Sequence, residues 1–385
     1  MATDTYKLYR IIKNVVDNRG PRQAYYFESE KYPVIDTYMI RNEVHPSLDD
    51  ATRYLSASQF NSFLRGHIGV NDLLIVLVGN GIGNVTLAPN AECAIVQNVI
   101  GLTFNNMICD QVYMYYKVKT MQTSIRNLDR GVSQPSVNRD DLFRLSIMLP
   151  DVDTQKRIGQ SLYRYDRMIE VNNKRIKVLE QIAENLYKEW FVCFRFPGHK
   201  SVPFENGLPR GWRLVRTSSI CKITTGRKDA NQADSQGKYP FFSCARENDL
   251  FSNDAFLDDK AIIVSGNGSF TGYTKCYRGK FDLYQRTYAL YDINTISWQY
   301  LYWTYKLGFE KEYMGGNRGS AIPYITKPDI ERYKIIVPDE KTLRAATNCF
   351  DTVYDLCEAL MEENKRLVKQ RDLLLPRLMS GKLEV

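Results

Sequence analysis

No apolar run in this sequence approaches the roughly 18 residues needed to cross a bilayer, so no membrane-spanning helix is expected. The first residues, Met1 to Arg10, are polar and of mixed charge, unlike a signal peptide. Histidine is scarce, with three in all, and none of the eight cysteines (Cys93, Cys109, Cys193, Cys221, Cys244, Cys276, Cys349, Cys357) forms a Cys-x-x-Cys pair. That pattern predicts neither a zinc site nor a disulfide framework, and a reducing cytoplasm as the setting. Also missing are a Walker A loop, an Asn/Asp-Pro-Pro-aromatic motif, a glycine-rich S-adenosylmethionine loop and a nuclease metal cluster. The expectation is a non-catalytic chain with no cofactor and no metal. Charge of one sign is scarce as well. The net charge is +8, with 15 Lys and Arg against 14 Asp and Glu over residues 1–149 and 19 against 14 over 201–337. Any attraction to a polyanion must come from local clusters rather than a bulk field.

What is present is a sequence written twice. Tyr6-Lys7-Leu8 resembles Trp212-Arg213-Leu214, and Lys31-Tyr32-Pro33 recurs as Lys238-Tyr239-Pro240 at an offset of 207. Asp72, an apolar run and Gly79-Asn80-Gly81 match Asp259, an apolar run and Gly266-Asn267-Gly268 at an offset of 187. Gln97 with Gln285, Arg130-Gly131 with Arg318-Gly319, Pro135 with Pro323, Asp141-Leu142 with Asp329-Ile330, and Leu149-Pro150-Asp151 with Val337-Pro338-Asp339 all keep an offset of 188. Matches that hold order and offset mark a tandem duplication. The step in offset places about twenty extra residues in the first copy, at His45 to Phe63. β-rich runs at Leu73–Val78, Ala94–Val99, Ala261–Val264 and Tyr288–Tyr291 predict strands, and Asp110–Met121 and Trp298–Leu307 predict helices. Gly79-Asn80-Gly81-Ile82-Gly83 has the look of a nucleotide loop, but its twin lacks the later glycine and no Gly-Lys-Ser/Thr follows, so it reads as a tight turn. Tyr113-Met114-Tyr115-Tyr116 and Tyr300-Leu301-Tyr302-Trp303 fall at matched helical positions and read as core.

After Pro150 and after Pro338 the apolar positions step by four and three. The first series is Ile158, Leu162, Tyr165, Ile169, Asn172, Ile176, Leu179, Ala183, Leu186 and Trp190. The second is Ala346, Phe350, Val353, Cys357, Leu360, Asn364, Leu367, Arg371, Leu374 and Leu378. A sustained heptad repeat is the mark of a coiled coil. Each seam carries one Asn, Asn172 and Asn364, and a seam Asn is stabilised by facing another. Pairing them in an antiparallel sense makes facing residue numbers sum to 536, which also sets Ile158 against Leu378, Leu162 against Leu374, Ile169 against Leu367 and Ile176 against Leu360. The same register puts Arg371 opposite Tyr165, and Pro376 is expected to kink the last turn. The fold class is therefore α+β: an α/β domain and a long helix, both duplicated, with the helices in an antiparallel coiled coil. The domains are expected at 1–149 and 198–337, and the helices at 150–197 and 338–385.

At Leu149-Pro150 with Gln155-Lys156-Arg157-Ile158, Asp166, Ile169 and Asn172-Asn173, the chain resembles the Type I restriction-modification specificity subunits. Leu186-Tyr187-Lys188-Glu189-Trp190-Phe191-Val192, Asn206-Gly207-Leu208-Pro209-Arg210-Gly211-Trp212 and Arg371-Asp372-Leu373-Leu374-Leu375-Pro376-Arg377-Leu378-Met379-Ser380-Gly381 carry the same resemblance, which covers nearly the whole chain. It implies two target-recognition domains that each read one part of a split double-stranded DNA site. It further implies helices that set the spacing and dock two DNA adenine methyltransferase subunits, with motor-nuclease restriction subunits joining them. Thr342-Leu343-Arg344 departs from the family's usual helix start. Asn and Gln pair with adenine, and Arg with guanine, at major-groove edges. Polar residues on repeat-matched loops are thus the candidates for DNA contact: Asn80, Gln97, Asn98, Arg130 and Ser133 in the first domain, and Asn267, Ser269, Gln285, Arg286, Arg318 and Ser320 in the second. Gln97 and Gln285 read equally well as scaffold, the glycines beside Asn80 and Asn267 read as scaffold, and Tyr25-Tyr26-Phe27 and Tyr273 are secondary candidates. A duplicated coiled-coil scaffold without DNA recognition is the alternative function.

Overall fold

Four apolar residues in a row, Leu73–Val76, have no solvent-facing side, and in the computed structural model all four are buried in the centre of an antiparallel sheet. Residues 3–19, 26–131, 134–247, 250–314 and 323–383 are described. The chain divides into two units, residues 1–173 with 361–385, and residues 174–360.

In the first unit the strand order is Ile12–Val16, Val99–Phe104, Leu73–Val76, Val85–Leu87, and a smaller sheet runs Tyr54–Leu55, Tyr32–Ile35, Ala94–Ile95. The second unit repeats that order in one sheet: Lys222–Thr225, Thr287–Tyr291, Leu257–Ser265, Thr274–Leu283, Tyr239–Phe242, Phe251–Ser252. The single long strand Thr274–Leu283 does the work of both Val85–Leu87 and Ala94–Ile95. The expected strand Ala94–Val99 is interrupted, because Gln97-Asn98 form the turn into Val99–Phe104.

Behind each sheet lies an aromatic helix. Gln111–Thr120 starts where the Asp110 carboxylate accepts the Tyr113 N–H at 2.8 Å, and Tyr113, Met114, Tyr115 and Tyr116 are all buried. Trp298–Thr304 is capped by the Ser297 hydroxyl and buries Tyr300, Leu301 and Trp303. Both runs are core, as their sequence pattern implies.

The geometry corrects the repeat register in three places. Asp4–Lys7 pairs with Ser146–Leu149 as Arg213–Arg216 pairs with Lys334–Val337, so Tyr6 corresponds to Val215 rather than Trp212. Gly79 and Gly83, both with positive φ, correspond to Gly268 and Gly272, also with positive φ. Gly79 N–H donates to Pro135 O at 2.9 Å as Gly268 N–H donates to Pro323 O at 3.1 Å, and Gly83 N–H donates to Val76 O as Gly272 N–H donates to Ser265 O. The Gly-Asn-Gly match of the sequence is thus two residues early. The twin turn does have its later glycine, and Asp72 corresponds to Ala261 rather than Asp259. A slip of two along a strand keeps every side chain on its own face, so the apolar pattern cannot detect it. Nor is His45 to Phe63 one insertion: Tyr54–Leu55 within it pairs with Tyr32–Pro33 as Phe251–Ser252 pairs with Tyr239–Pro240. The extra residues fall on both sides of that strand.

The long helices run Val152–Tyr187 and Glu340–Met379. The first continues into a π-helical turn, Lys188–Val192, and the second passes through Pro376 to Met379. Asp151 and Asp339 cap their starts, accepting the N–H groups of Thr154 and Thr342. Every predicted seam position is buried or half-buried. Near the start of the first helix the seam enters the first core, where Ile158 and Leu162 join Leu375 and Leu378. In the second unit Ala183, Tyr187 and Phe191 join Ala346 and Phe350. The departure at Thr342-Leu343-Arg344 also has a physical basis. Buried Gln155 donates to Ile108 O and Pro150 O and accepts the Asp110 N–H, tying the first helix to the aromatic helix, whereas Leu343 at the matching position packs into the second core.

Asn172 and Asn364 do meet: Asn172 Nδ2 donates to Asn364 Oδ1 at 3.0 Å and also to Glu363, while Asn364 Nδ2 donates to Asn173 Oδ1 at 2.8 Å. The guanidinium of Arg371 pairs with Asp166, the residue next to Tyr165. Asp166 is buried and also accepts the Tyr116 hydroxyl proton, while Arg371 reaches Asp372 at 2.8 Å. Burial pushes the Tyr116 phenol upward and the Asp166 charge pushes it the same way, so it stays a donor. Burial alone would lower Arg371, but Asp166 beside it holds it above its ordinary value and fully charged.

Two stability measurements check this arrangement. Replacing either Asn172 or Asn364 with Leu is expected to cost roughly 1–3 kcal/mol in urea denaturation, because a buried amide loses its partner. The double replacement is expected to recover most of that, and a double variant no better than the worse single one contradicts the pairing. Asp166→Ala is expected to cost about 3–5 kcal/mol, since it takes the buried partner from a largely buried guanidinium and leaves only the exposed Asp372. Asp355→Ala, which removes an exposed partner of Arg278, is expected to cost about 0–1 kcal/mol. Equal losses would mean that the Asp166 pair is no stronger than a surface pair.

Candidate nucleic-acid interface

Both sheets end in the same three-loop arrangement. In the first unit Leu77 N–H donates to Asn98 O at 2.8 Å and Leu77 O accepts the Val137 N–H at 2.8 Å, so the chain leaving Leu73–Val76 is held between two other loops. In the second, Gly266 N–H donates to Arg286 O at 3.0 Å and Gly266 O accepts the Ile325 N–H at 2.9 Å. One loop follows the central strand, one is the Gln97-Asn98 or Gln285-Arg286 turn, and one follows the aromatic helix. Backbone hydrogen bonds fix all three, which leaves their side chains free to face a ligand.

The structure brings most of the sequence candidates onto these loops. Asn80 is exposed on the turn between Gly79 and Gly83, and Ser269 is exposed at the corresponding place in the second unit. Asn267 sits two positions earlier than the sequence match implies: it bridges Tyr324 and corresponds to Val78, which bridges Ser136. Asn98 is half-buried and Arg286 exposed at equivalent positions, as are half-buried Gln97 and exposed Gln285. Gln285 therefore fits the DNA-contact reading better than Gln97 does. Arg130 is exposed and paired with Asp141 at 3.1 Å, a surface ion pair weak enough to be exchanged for a phosphate. Ser133, Arg318 and Ser320 lie outside the described residues, as does Tyr25.

Several residues escaped the sequence reading. Gly79, Asn80, Ile82, Arg126, Asp129 and Pro135 line an open groove, with Arg126 Nε donating to Ile82 O at 3.1 Å. In the second unit Tyr324 is half exposed beside Asn267. The Tyr273 ring has three cations around it, Lys306 at 4.4 Å and Arg246 and Lys275 at 5.8 Å. The loop carrying Arg246 abuts the Gln285-Arg286 turn, since Cys244 Sγ lies 3.4 Å from Arg286 O. Lys306 is also held by Glu310, which accepts the Thr274 N–H. This cluster of cations around an aromatic ring suits a phosphate backbone. Arg126 has Met314 as its repeat match, and Arg246 lies in a segment whose length differs between the two copies, so neither is a repeat-matched polar position.

None of the eight cysteines is paired, and among the described residues no group of three His, Cys, Asp or Glu could hold a metal ion. No helix is long and apolar enough to cross a membrane.

Comparison with known proteins agrees with this architecture. Residues 15–181 and 209–370 each match the model of the Type I restriction modification DNA specificity domain. The chain is 37% identical to the EcoDI specificity subunit of Escherichia coli over 180 residues, 46% of this chain and 39% of that one. It is 26% identical to the MjaIX specificity subunit of Methanocaldococcus jannaschii over 308 residues, 73% of this chain and 70% of that one. Its fold resembles that of a Type-I restriction-modification S subunit from M. genitalium, with a TM-score of 0.64 and 15% identity over 98% of this chain and 96% of that one. With two copies of the specificity domain covering most of its length, the chain belongs to the Type I restriction modification DNA specificity family.

Proposed function

We propose that this chain is the non-catalytic specificity subunit of a Type I restriction-modification complex in the cytoplasm, and that it reads a bipartite site on double-stranded DNA. Each domain reads one half-site through its three-loop edge. The observation that carries this reading is the pair of edges itself: the backbone bonds are the same in both units, while the side chains they present differ, Asn80, Asn98 and Arg126 in one against Ser269, Arg286 and Arg246 in the other. One scaffold with two sets of side chains suits two different half-sites. A duplicated scaffold without DNA recognition leaves the family membership unexplained. The long helices dock DNA adenine methyltransferase subunits, which restriction subunits join. In support, the first helix exposes Met168, Val171, Val178 and Ile182 at helical spacing.

Two experiments test this reading. In a strain carrying Arg286→Ala, mapped adenine methylation is expected to change in the half-site of the second domain only. If the side chain meets phosphate instead, methylation is expected to fall uniformly across sites. Unchanged methylation would remove Arg286 from the interface. The second experiment asks whether the helices act as a ruler. Helices of 36 and 40 residues are about 54–60 Å long at about 1.5 Å per residue, more than one turn of duplex at about 3.4 Å per base pair. Seven residues inserted after both Ile176 and Leu360 keep the heptad phase and the facing register. The expected result is the same two half-sites with a spacer longer by about three base pairs. A variant that folds, binds its methyltransferase and keeps the original spacing shows that the helices do not set the gap.

A further inference from the structure

The two polar contacts of the seam share a property that neither repeat shows alone. The repeat offset of the helices is 188, so Asn172 is matched by Leu360 and Asn364 by Ile176. Asp166 is matched by Tyr354 and Arg371 by Ala183, and Ala183 and Tyr354 pack together in the apolar core of the second unit. Tyr116, which donates to Asp166, is matched by Trp303, which has no hydroxyl to donate. Both polar contacts therefore join residues that are not each other's repeat equivalents.

This decides what each helix accepts. In an antiparallel pair of two first repeats, in the same register, Asn172 faces Ile176 and buried Asp166 faces Ala183, and each mismatch occurs twice. In a pair of two second repeats, Asn364 faces Leu360 and Arg371 faces Tyr354. The amide and the charge then lose these partners, while apolar positions such as Ile158, Leu162, Phe350 and Cys357 still face apolar residues. We infer that the seam encodes pairing of unlike repeats: the first repeat binds the second, in its own chain or in another copy, and rejects a second copy of itself. The Asn172–Asn364 and Asp166–Arg371 contacts act as the discriminator, as polar seam residues do where they fix register and partner.

The test cuts the full-length protein after it has folded, at a protease site inserted at Gly207. This glycine is exposed, has positive φ, and a Cβ there would meet nothing within 4 Å. Cleaved protein is mixed with an isotope-labelled cleaved copy, and fragment exchange is followed by native mass spectrometry. The expected outcome is label exchange with every assembly holding one first and one second repeat, like pairs being disfavoured by roughly 100-fold or more. The same experiment with Asn172→Leu and Asn364→Leu is expected to raise the like pairs at least about ten-fold, because one mismatch is gone. Adding Asp166→Leu and Arg371→Leu is expected to raise them further. A statistical mixture of like and unlike pairs from the unsubstituted protein overturns the inference, as does separation of the fragments without re-pairing. Should the fourfold variant fail to fold, the asparagine pair still decides.

Discussion

The buried contact among Asp166, Arg371 and Tyr116 is the constraint on which the first unit depends. Through it, a residue of the second long helix is tied both to the first helix and to the aromatic helix behind the sheet. Neither the apolar seam nor the sheet core could fix that geometry alone, because apolar packing tolerates sliding. Asn172 and Asn364, two turns further along, bond only when the helices run antiparallel in one register. In place of that ion pair the second unit has Tyr354 and Ala183 at the repeat-matched positions. Its core absorbs the helices through aromatic contacts instead, with Phe191 against Tyr300 and Trp212, and Trp298 against Tyr354.

From that support the site follows. A rigid helix seats the aromatic helix, the aromatic helix backs the sheet, and the sheet ends in loops held by backbone hydrogen bonds. Specificity then becomes a question of side chains on fixed positions. This suits the proposed reading of two half-sites, in which one frame carries two sets of side chains. It also fits basic residues that gather locally rather than in one broad field, as with Arg246, Lys275 and Lys306 around Tyr273. Reading base edges needs a handful of well-placed donors, and a strong field would raise affinity for every sequence alike.

Much of the fold was legible in the sequence because it rests on periodic patterns. The heptad series runs along both helices, and Asn172 and Asn364 meet in the structure. The aromatic runs at Tyr113 and Tyr300 were rightly read as core. The errors have physical origins. A two-residue slip between Gly79 and its true counterpart Gly268 left the alternation of strand faces intact, and it is the positive φ of the glycines, their backbone bonds and the strand pairing that reveal it. Asp166 stands out only within the family resemblance, and the seam register sets its partner Arg371, some two hundred residues away, opposite Tyr165. The candidate site was less legible. Repeat matching finds what the two domains share, which is scaffold, whereas the proposed readout rests on where they differ. Arg126, Arg246 and Tyr324 were invisible to it for that reason.

The central claim is that two like domains read two unlike half-sites. Mapping methylated adenines across the genome, in a strain carrying this gene and in one lacking it, tests that claim most directly. The account predicts a set of sites that depends on the gene and consists of two short specific sequences separated by a fixed stretch of unspecified bases. A single uninterrupted motif, or a methylation pattern indifferent to the gene, would contradict it.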